Sequence, residues 1–594
     1  MERAAARDTT PALLLELAQL RYSLNDLDRA EDLAQKVAAA DPTLAGARNL
    51  LGDIYLGRAR EGSDPEANIT RAVEQYRAAL QADPSDEESC RSLSELYYHV
   101  GRTKEAAEVL EAFSERNSLS PAMALLLGKA YLRGDRTADA EKVLKGLLAR
   151  SPGNLEAADA LASLYEYEKK YDAAIALYSG LMQPGPPTAY LRDRVGALHL
   201  QAGRYKDAIR ELEAAQALDP SDGRGLLTLA QAYEAAGDTE SALGAYDRLV
   251  KREQGNLEAR FYKARLQQKE GDADAALQGF QAIIDLATGR GAVTDREAAV
   301  LALAYSQVGL IEMAARNFEA AASAFVRALD NSEDPGPELF LLLGRVDLER
   351  GKPEDAEKVA QEAQRRYPQD LDLTVLQGEV LIVRGDVPKA REFYHSLLKD
   401  RGGSPEAYAR VSEALLRQKR FDDAEAILRE GIRLHPADDA LFFARGAALE
   451  RLGKLPEAEH LLSRAIRLNP RNAAALNYLG YMLADRGLKL KDSIAYVERA
   501  LALDPKNAAY LDSLGWAQFK MALYGPAEKN LRSAARYERS DPTIREHLGD
   551  LLMATGRAEE AMREWETALA HGHEEPVRIK EKIERARASL KVER

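Results

Sequence analysis

A small residue returns every 34 positions along most of this 594-residue chain. Ala106, Ala140, Ala174, Ala208, Ala242 and Ala276 keep the interval without a slip, and Ala356, Ala390, Ala424 and Ala458 take it up again. A second beat leads the first by twelve positions: Ser94, Gly128, Ala162, Gly196, Ala230 and Ala264, then Gly344, Gly378, Ser412, Gly446 and Gly480. Self-similarity at a fixed period constrains a chain more than any local signal, because each unit must stack on its neighbours to bury its apolar face.

Within one unit the residues read as two antiparallel helices. Leu226–Gly237 and Thr239–Glu253 each carry apolar residues at i, i+3, i+4 and i+7, the period of an amphipathic helix and not of a strand. Gly101, Gly203, Gly237, Gly271, Gly351, Gly385, Gly453 and Gly556 fall just after the first helix, where the chain favours a left-handed residue. The second helix usually ends in a proline turn such as Asp41-Pro42, Asp83-Pro84, Asp219-Pro220 or Asp504-Pro505, since proline has no N–H to continue a helix. The small beats let the two helices approach, while Tyr97, Tyr131 and Tyr165 on first helices and Tyr76, Tyr178 and Tyr394 on second helices fill the space between.

The period and these residue types together resemble the tetratricopeptide repeat (TPR) over nearly the whole chain. The resemblance implies an all-α fold, a right-handed superhelical solenoid of about sixteen helix-turn-helix repeats. The first small position is then Gly, Ala or Ser throughout, and the second is Ala except at Ser493.

The rhythm also divides the chain. Residues 1–286 form an N-terminal array of about eight repeats, with an insertion at 57–68 expected between the two helices of one unit. Residues 287–336 break phase and suggest a change of curvature. Residues 337–576 form a C-terminal array, and 577–594 a capping helix with Ile579, Ile583, Ala586 and Leu590 on one face. The turn Pro184-Gly185-Pro186-Pro187 keeps the period in an extended form.

Composition excludes several functions. A net charge of −14 and a pI near 5.4 repel phosphate, so general nucleic-acid binding is not expected. The single cysteine, Cys90, permits no intrachain disulfide and no cysteine zinc cluster, and its apolar position suggests a buried structural thiol. No stretch resembles a transmembrane span, and the N-terminus lacks a signal-peptide pattern. Read as it stands, the chain is expected to be soluble and cytoplasmic, or periplasmic if an export signal has been removed.

Chemistry is absent from the pattern. No phosphate loop, HExxH, nucleophile elbow or dinucleotide fingerprint occurs, so no catalytic residue, metal or cofactor is expected. His571-Gly572-His573-Glu574-Glu575 reads either as a run of metal ligands or as a solvated turn.

The TPR resemblance implies that the second, fifth, ninth, twelfth and thirteenth positions of first helices line a concave groove. In the N-terminal repeats these are mixed: Arg91, Glu95, Tyr98, His99, Lys129, Arg133, Asp159 and Glu166. The Lys and Asn of the chaperone-tail clamp, a known class of the family, are missing from their fifth and ninth positions. Near the C-terminus the face turns aromatic. Phe443, Asn477, Tyr481, Asp485, Asp512, Trp516 and Phe519 are the candidate residues for capturing a peptide, or else pack between repeats. The stretch from Leu476 onward resembles the C-terminal block of large bacterial TPR proteins, several of them exported to the cell envelope. The expectation is a non-catalytic scaffold binding protein or peptide partners in its groove. The alternatives are a structural subunit of a bacterial envelope or secretion assembly and, remotely, a metal-dependent enzyme at His571. Neither the partner nor the oligomeric state is specified.

Overall fold

The computed structural model describes residues 10–182, 188–289, 291 and 293–592. Among the described residues 33 helices follow one another from Pro11 to Val592, and there is no strand. The chain is an all-α solenoid of helix pairs. It divides into two compact units, Met1–Ala242 and Leu243–Arg594, a boundary upstream of the break in rhythm at 287–336. The turn at Pro184–Pro187 lies outside the described residues.

The beats have the packing role that their size implies. A Cβ on Gly128 would sit 2.6 Å from Leu144 Cδ2, and one on Gly515 would sit 2.6 Å from Leu531 Cγ and 3.2 Å from the Ala527 carbonyl oxygen. Ala106, Ala140, Ala174, Ala208, Ala242 and Ala276 are wholly buried. Ser493, the one departure, turns its hydroxyl back across the pair and donates to the Gly480 carbonyl at 2.7 Å. A polar group at a buried position is thereby satisfied without disturbing the pairing.

Turns obey the same logic. Gly101, Gly203, Gly237 and Gly271 have positive φ, as a left-handed helix exit requires. Asp135, Lys169, Lys419 and Ala522 adopt the same φ, near +60°, at the corresponding place in other repeats. The αL exit is therefore more regular than the glycine pattern shows. At the proline turns the aspartate before proline caps the bend: Asp41 Oδ1 accepts the Thr43 N–H at 3.0 Å and Asp219 Oδ1 the Ser221 N–H at 2.8 Å.

The insertion at 57–68 is not a loop between helices. Its residues extend both neighbours, giving Ala45–Arg60 and Pro65–Ala82 with only 61–64 between them. Ala59 and Arg60 prolong the first helix, and Pro65 opens the second at a position where a missing N–H costs nothing.

The extra residues around 309–317 are expected to lengthen a helix, and Asp295–Ala314 runs for 20 residues, long and apolar enough by length and composition alone to cross a bilayer. Its Leu301, Ala304, Val308 and Gly309 are buried, and Gly309 meets Phe325 of helix Phe318–Asp330, so one face serves as core. At the C-terminus, helix Pro576–Val592 buries Ile579, Ile583 and Ala586 in one cluster with Leu548, Leu551 and Trp565.

Candidate binding face

Two successive first helices in the second unit, Ala473–Asp485 and Ala508–Lys520, carry six of the seven candidate residues, and the next first helix, Pro542–Ala554, packs beside them. Each is aligned by its glycine, Gly480, Gly515 and Gly549, seated on Val497, Leu531 and Trp565 of its own second helix. The residue after the first two glycines, Tyr481 and Trp516, therefore projects at the same height on neighbouring helices.

Trp516 is 7% exposed and flanked by rings. His547 stacks on it with centroids 4.0 Å apart and planes 15° apart, and Phe519 stacks at 5.1 Å. Lys520 Nζ lies 4.6 Å from the ring, and the indole N–H donates to Asp485 Oδ1 at 3.4 Å. Tyr481 approaches His547 with centroids 6.2 Å apart. Burial, reinforced by Asp485 and Asp512, raises the Tyr481 phenol above its ordinary pKa.

Asp512 is buried and faces His547 Nδ1 with both carboxylate oxygens, at 2.9 and 3.0 Å. Burial opposes protonation of His547, but the Asp512 carboxylate, with Glu546 and Asp550 behind it, holds the imidazole pKa above its usual value. An imidazolium stacked on an indole and bonded to a carboxylate is a paired buried charge, which is costly to break.

Asn477 stands one helical turn before Tyr481. Its Oδ1 is shielded from solvent and has no hydrogen-bond partner. Asp485 is exposed and Phe519 half-buried. Phe443 stands apart from this ring cluster, edge-on to Tyr478 at 5.7 Å. The structure thus joins Tyr481, Asp485, Asp512, Trp516 and Phe519 through shared contacts and leaves Asn477 and Phe443 beside them.

Sequence reading missed His547, the residue at the centre of the group. It lies two positions before Gly549, where other first helices carry residues as unlike as Ser92, Arg194 and Thr228, so the period gives no sign of it. Glu546 was missed with it. That carboxylate receives Arg578, Lys582 and the His573 Nε2–H, the last at 2.8 Å. Burial would raise the Glu546 pKa, but Lys582 and Arg578 hold it below the usual carboxylate value.

His573 Nδ1 accepts the Glu575 N–H at 3.0 Å, so Nε2 is the protonated nitrogen. His573 is therefore a buried link between the last turn and Glu546, which corrects its reading as part of a solvated turn. Among the described residues no group of three His, Cys, Asp or Glu side chains could hold a metal ion.

In the first unit the mixed polar face is largely paired within itself. Asp159 accepts from Tyr178 and Tyr190, both at 2.8 Å, Arg194 pairs with Glu166 at 2.6 Å, and Arg133 lies over the Tyr98 ring at 4.1 Å. Cys90 is fully buried, and burial pushes its thiol pKa up to about 12.

Two family models described as tetratricopeptide repeat match the chain. One covers residues 66–121, 91–154, 125–188, 309–370, 341–405, 443–508 and 513–574, and the other 199–255 and 381–447. The chain belongs to the tetratricopeptide repeat family.

TPR proteins generally mediate protein–protein interactions as scaffolds. Among curated TPR relatives, the TPR repeat-containing protein YpiA of Bacillus subtilis is 24% identical over 46% of this chain and 63% of its own length. The TPR repeat-containing protein PA4667 of Pseudomonas aeruginosa is 27% identical over 29% of this chain and 30% of its own. Superkiller complex protein 3 of Mus musculus is 23% identical over 48% and 18%. The chain spans less than two thirds of the length of each. Among solved structures, yeast Tom70 is similar at a TM-score of 0.37 and 16% identity, covering 72% of this chain and 95% of that one.

Proposed function

We propose that this TPR protein is a non-catalytic scaffold that captures a protein or peptide partner on the face bearing Asn477 and Tyr481. The observation that carries the reading is the Asn477 carboxamide oxygen, shielded yet without a partner, beside an aromatic cluster. A buried acceptor left unmade costs about 1–3 kcal/mol, and a peptide N–H arriving at Asn477 relieves that cost. Tyr481, Phe443 and Phe519 offer apolar ring surface to the same segment, and Asp485 an exposed charge at its end. Trp516 and Asp512 are positioning residues in this reading, because their own surfaces are already occupied by His547. Affinity capture with wild type and an Asn477→Ala/Tyr481→Ala variant tests it.

A second reading is a structural role in a bacterial envelope assembly. It is supported by 28% identity, over 46% of this chain, to the cellulose synthase operon protein C of Xanthomonas axonopodis, of which 19% is matched. Co-sedimentation of the protein with the envelope fraction tests this reading, and its absence from that fraction overturns it.

A further inference from the structure

Two pairs of turns, distant in sequence, touch within the second unit. Gly271 lies between helices Leu257–Lys269 and Ala273–Thr288, and Arg539 between Tyr524–Tyr537 and Pro542–Ala554. The Arg539 stem rests on the Gly271 backbone: a Cβ on Gly271 would lie 3.0 Å from Arg539 Cγ and 3.4 Å from Arg539 Cβ. The second pair follows one repeat later. Arg316, between Asp295–Ala314 and Phe318–Asp330, lies against Gly572, between Ala558–Ala570 and Pro576–Val592. A Cβ on Gly572 would lie 3.4 Å from Arg316 Cδ and 3.9 Å from the Ala315 carbonyl oxygen.

Both contacts have the same form. In each, the turn inside an earlier helix pair meets the linker that follows a later pair. Both advance along the chain in the same direction. A stack of repeats meets itself in this way only when it has wound through a full turn and its second turn lies on its first. A side chain at 271 would crowd the Arg539 stem, whereas one at 572 would meet Arg316 only at ordinary van der Waals distance; both glycines have positive φ, which L side chains rarely adopt.

The joint is slight. It consists of arginine stems laid on glycine turns, and each atom pair in such a contact contributes only about 0.1–0.2 kcal/mol. Among the described residues neither the Arg539 nor the Arg316 guanidinium makes an ion pair; Arg316 lies over its own neighbour Phe318 at 5.5 Å.

We propose that this seam is a releasable clasp. Closed, it shuts the side of the second unit's turn, so that the inner face is reached only from the ends of that turn. Open, it admits a bulkier partner sideways. The sideways admission rests on the concave-face reading above, whereas the closure and opening of the clasp do not.

Cysteines test the clasp without any partner. The Cβ separation implied at 271 and 539 lies at the short edge of the roughly 3.5–4.5 Å range of a disulfide. In a Cys90→Ser background, Gly271→Cys with Arg539→Cys, treated with diamide, is expected to close a disulfide that compacts the chain on a non-reducing gel. Gly351→Cys with Arg539→Cys is the control, because Gly351 shares the positive φ and nothing lies within 4 Å of it. Circular dichroism confirms that each variant is folded, and Arg316→Cys with Gly572→Cys repeats the test should the first pair fail to fold. A yield no greater than the control overturns the closure.

Release is read from fluorophores placed at 317 and 574 through non-natural amino acids. The reduced protein is expected to show near and far populations, and the disulfide form only the near one. A single near population in both forms overturns release. Neither result depends on whether Asn477 and Tyr481 bind a partner.

Discussion

Asp512 and His547 face each other from adjacent first helices, with Nδ1 2.9 and 3.0 Å from the two carboxylate oxygens and both side chains buried. The pair fixes the imidazole against Trp516, and so sets the height of the aromatic cluster beside Asn477. Deleting the imidazole leaves a buried carboxylate unpaired, a class of change that costs about 3–5 kcal/mol. His547→Ala is therefore expected to lower the urea midpoint strongly, and Asp512→Asn much less if the amide oxygen still accepts the Nδ1–H.

The same pair gives stability a pH dependence. A histidine whose folded pKa is raised contributes stability that is fully present below its unfolded value, about 6.5, and is lost as pH rises through the folded value. Unfolding free energy of the wild type is expected to fall with rising pH above that point relative to His547→Gln. Urea titrations of both proteins between pH 6 and pH 9 measure the difference. Parallel curves contradict the pairing.

Gly515 is closed to any larger residue. Its Cβ position lies 2.6 Å from Leu531 Cγ and 3.2 Å from a carbonyl oxygen, so the backbone of the pair must yield. Gly515→Leu is expected to cost about 1–3 kcal/mol or more by overpacking, measured by chemical denaturation. Gly525, with nothing within 4 Å, is the control and is expected to tolerate alanine.

Ala522 marks the opposite case, a side chain where glycine would serve better. It holds φ near 59° at a helix exit that glycine fills in most other repeats. A left-handed conformation costs a non-glycine residue about 1–2 kcal/mol, and glycine returns part of that gain through unfolded-state entropy. Ala522→Gly is expected to stabilise by up to about 1 kcal/mol, and Gly556→Ala to destabilise, both read from thermal midpoints.

Cys90 is expected to resist alkylation in the folded protein. It has no exposed surface and a thiol pKa pushed up to about 12, so thiolate is scarce at neutral pH. Iodoacetamide labelling followed by mass spectrometry is expected to be slow without denaturant and rapid in urea.

These particulars show what a periodic sequence discloses. The helix pairs and the glycine seats were legible, because a 34-residue interval leaves little freedom in where Gly128 or Ala140 must lie. The lengthening of Ala45–Arg60 and Pro65–Ala82 was not, since eight added residues can extend helices as readily as form a loop. His547 escaped because its place in the repeat is filled elsewhere by residues as different as Ser92, Arg194 and Thr228, and its partner Asp512 sits on another repeat. Trp516 was found, but its large ring gave no sign that a histidine from the next repeat already covers it. Asn477 was named for its polarity, and only the structure shows its oxygen without a partner.

Capture of a protein partner is proposed for the Asn477–Tyr481 face. The most direct measurement is affinity capture with quantitative mass spectrometry, comparing wild type with Asn477→Ala/Tyr481→Ala at matched unfolding midpoints. Truncating central contact residues costs more than about 1–2 kcal/mol, so at least one partner is predicted to fall about tenfold in the variant. The same partners in the same amounts on both proteins would contradict capture on this face.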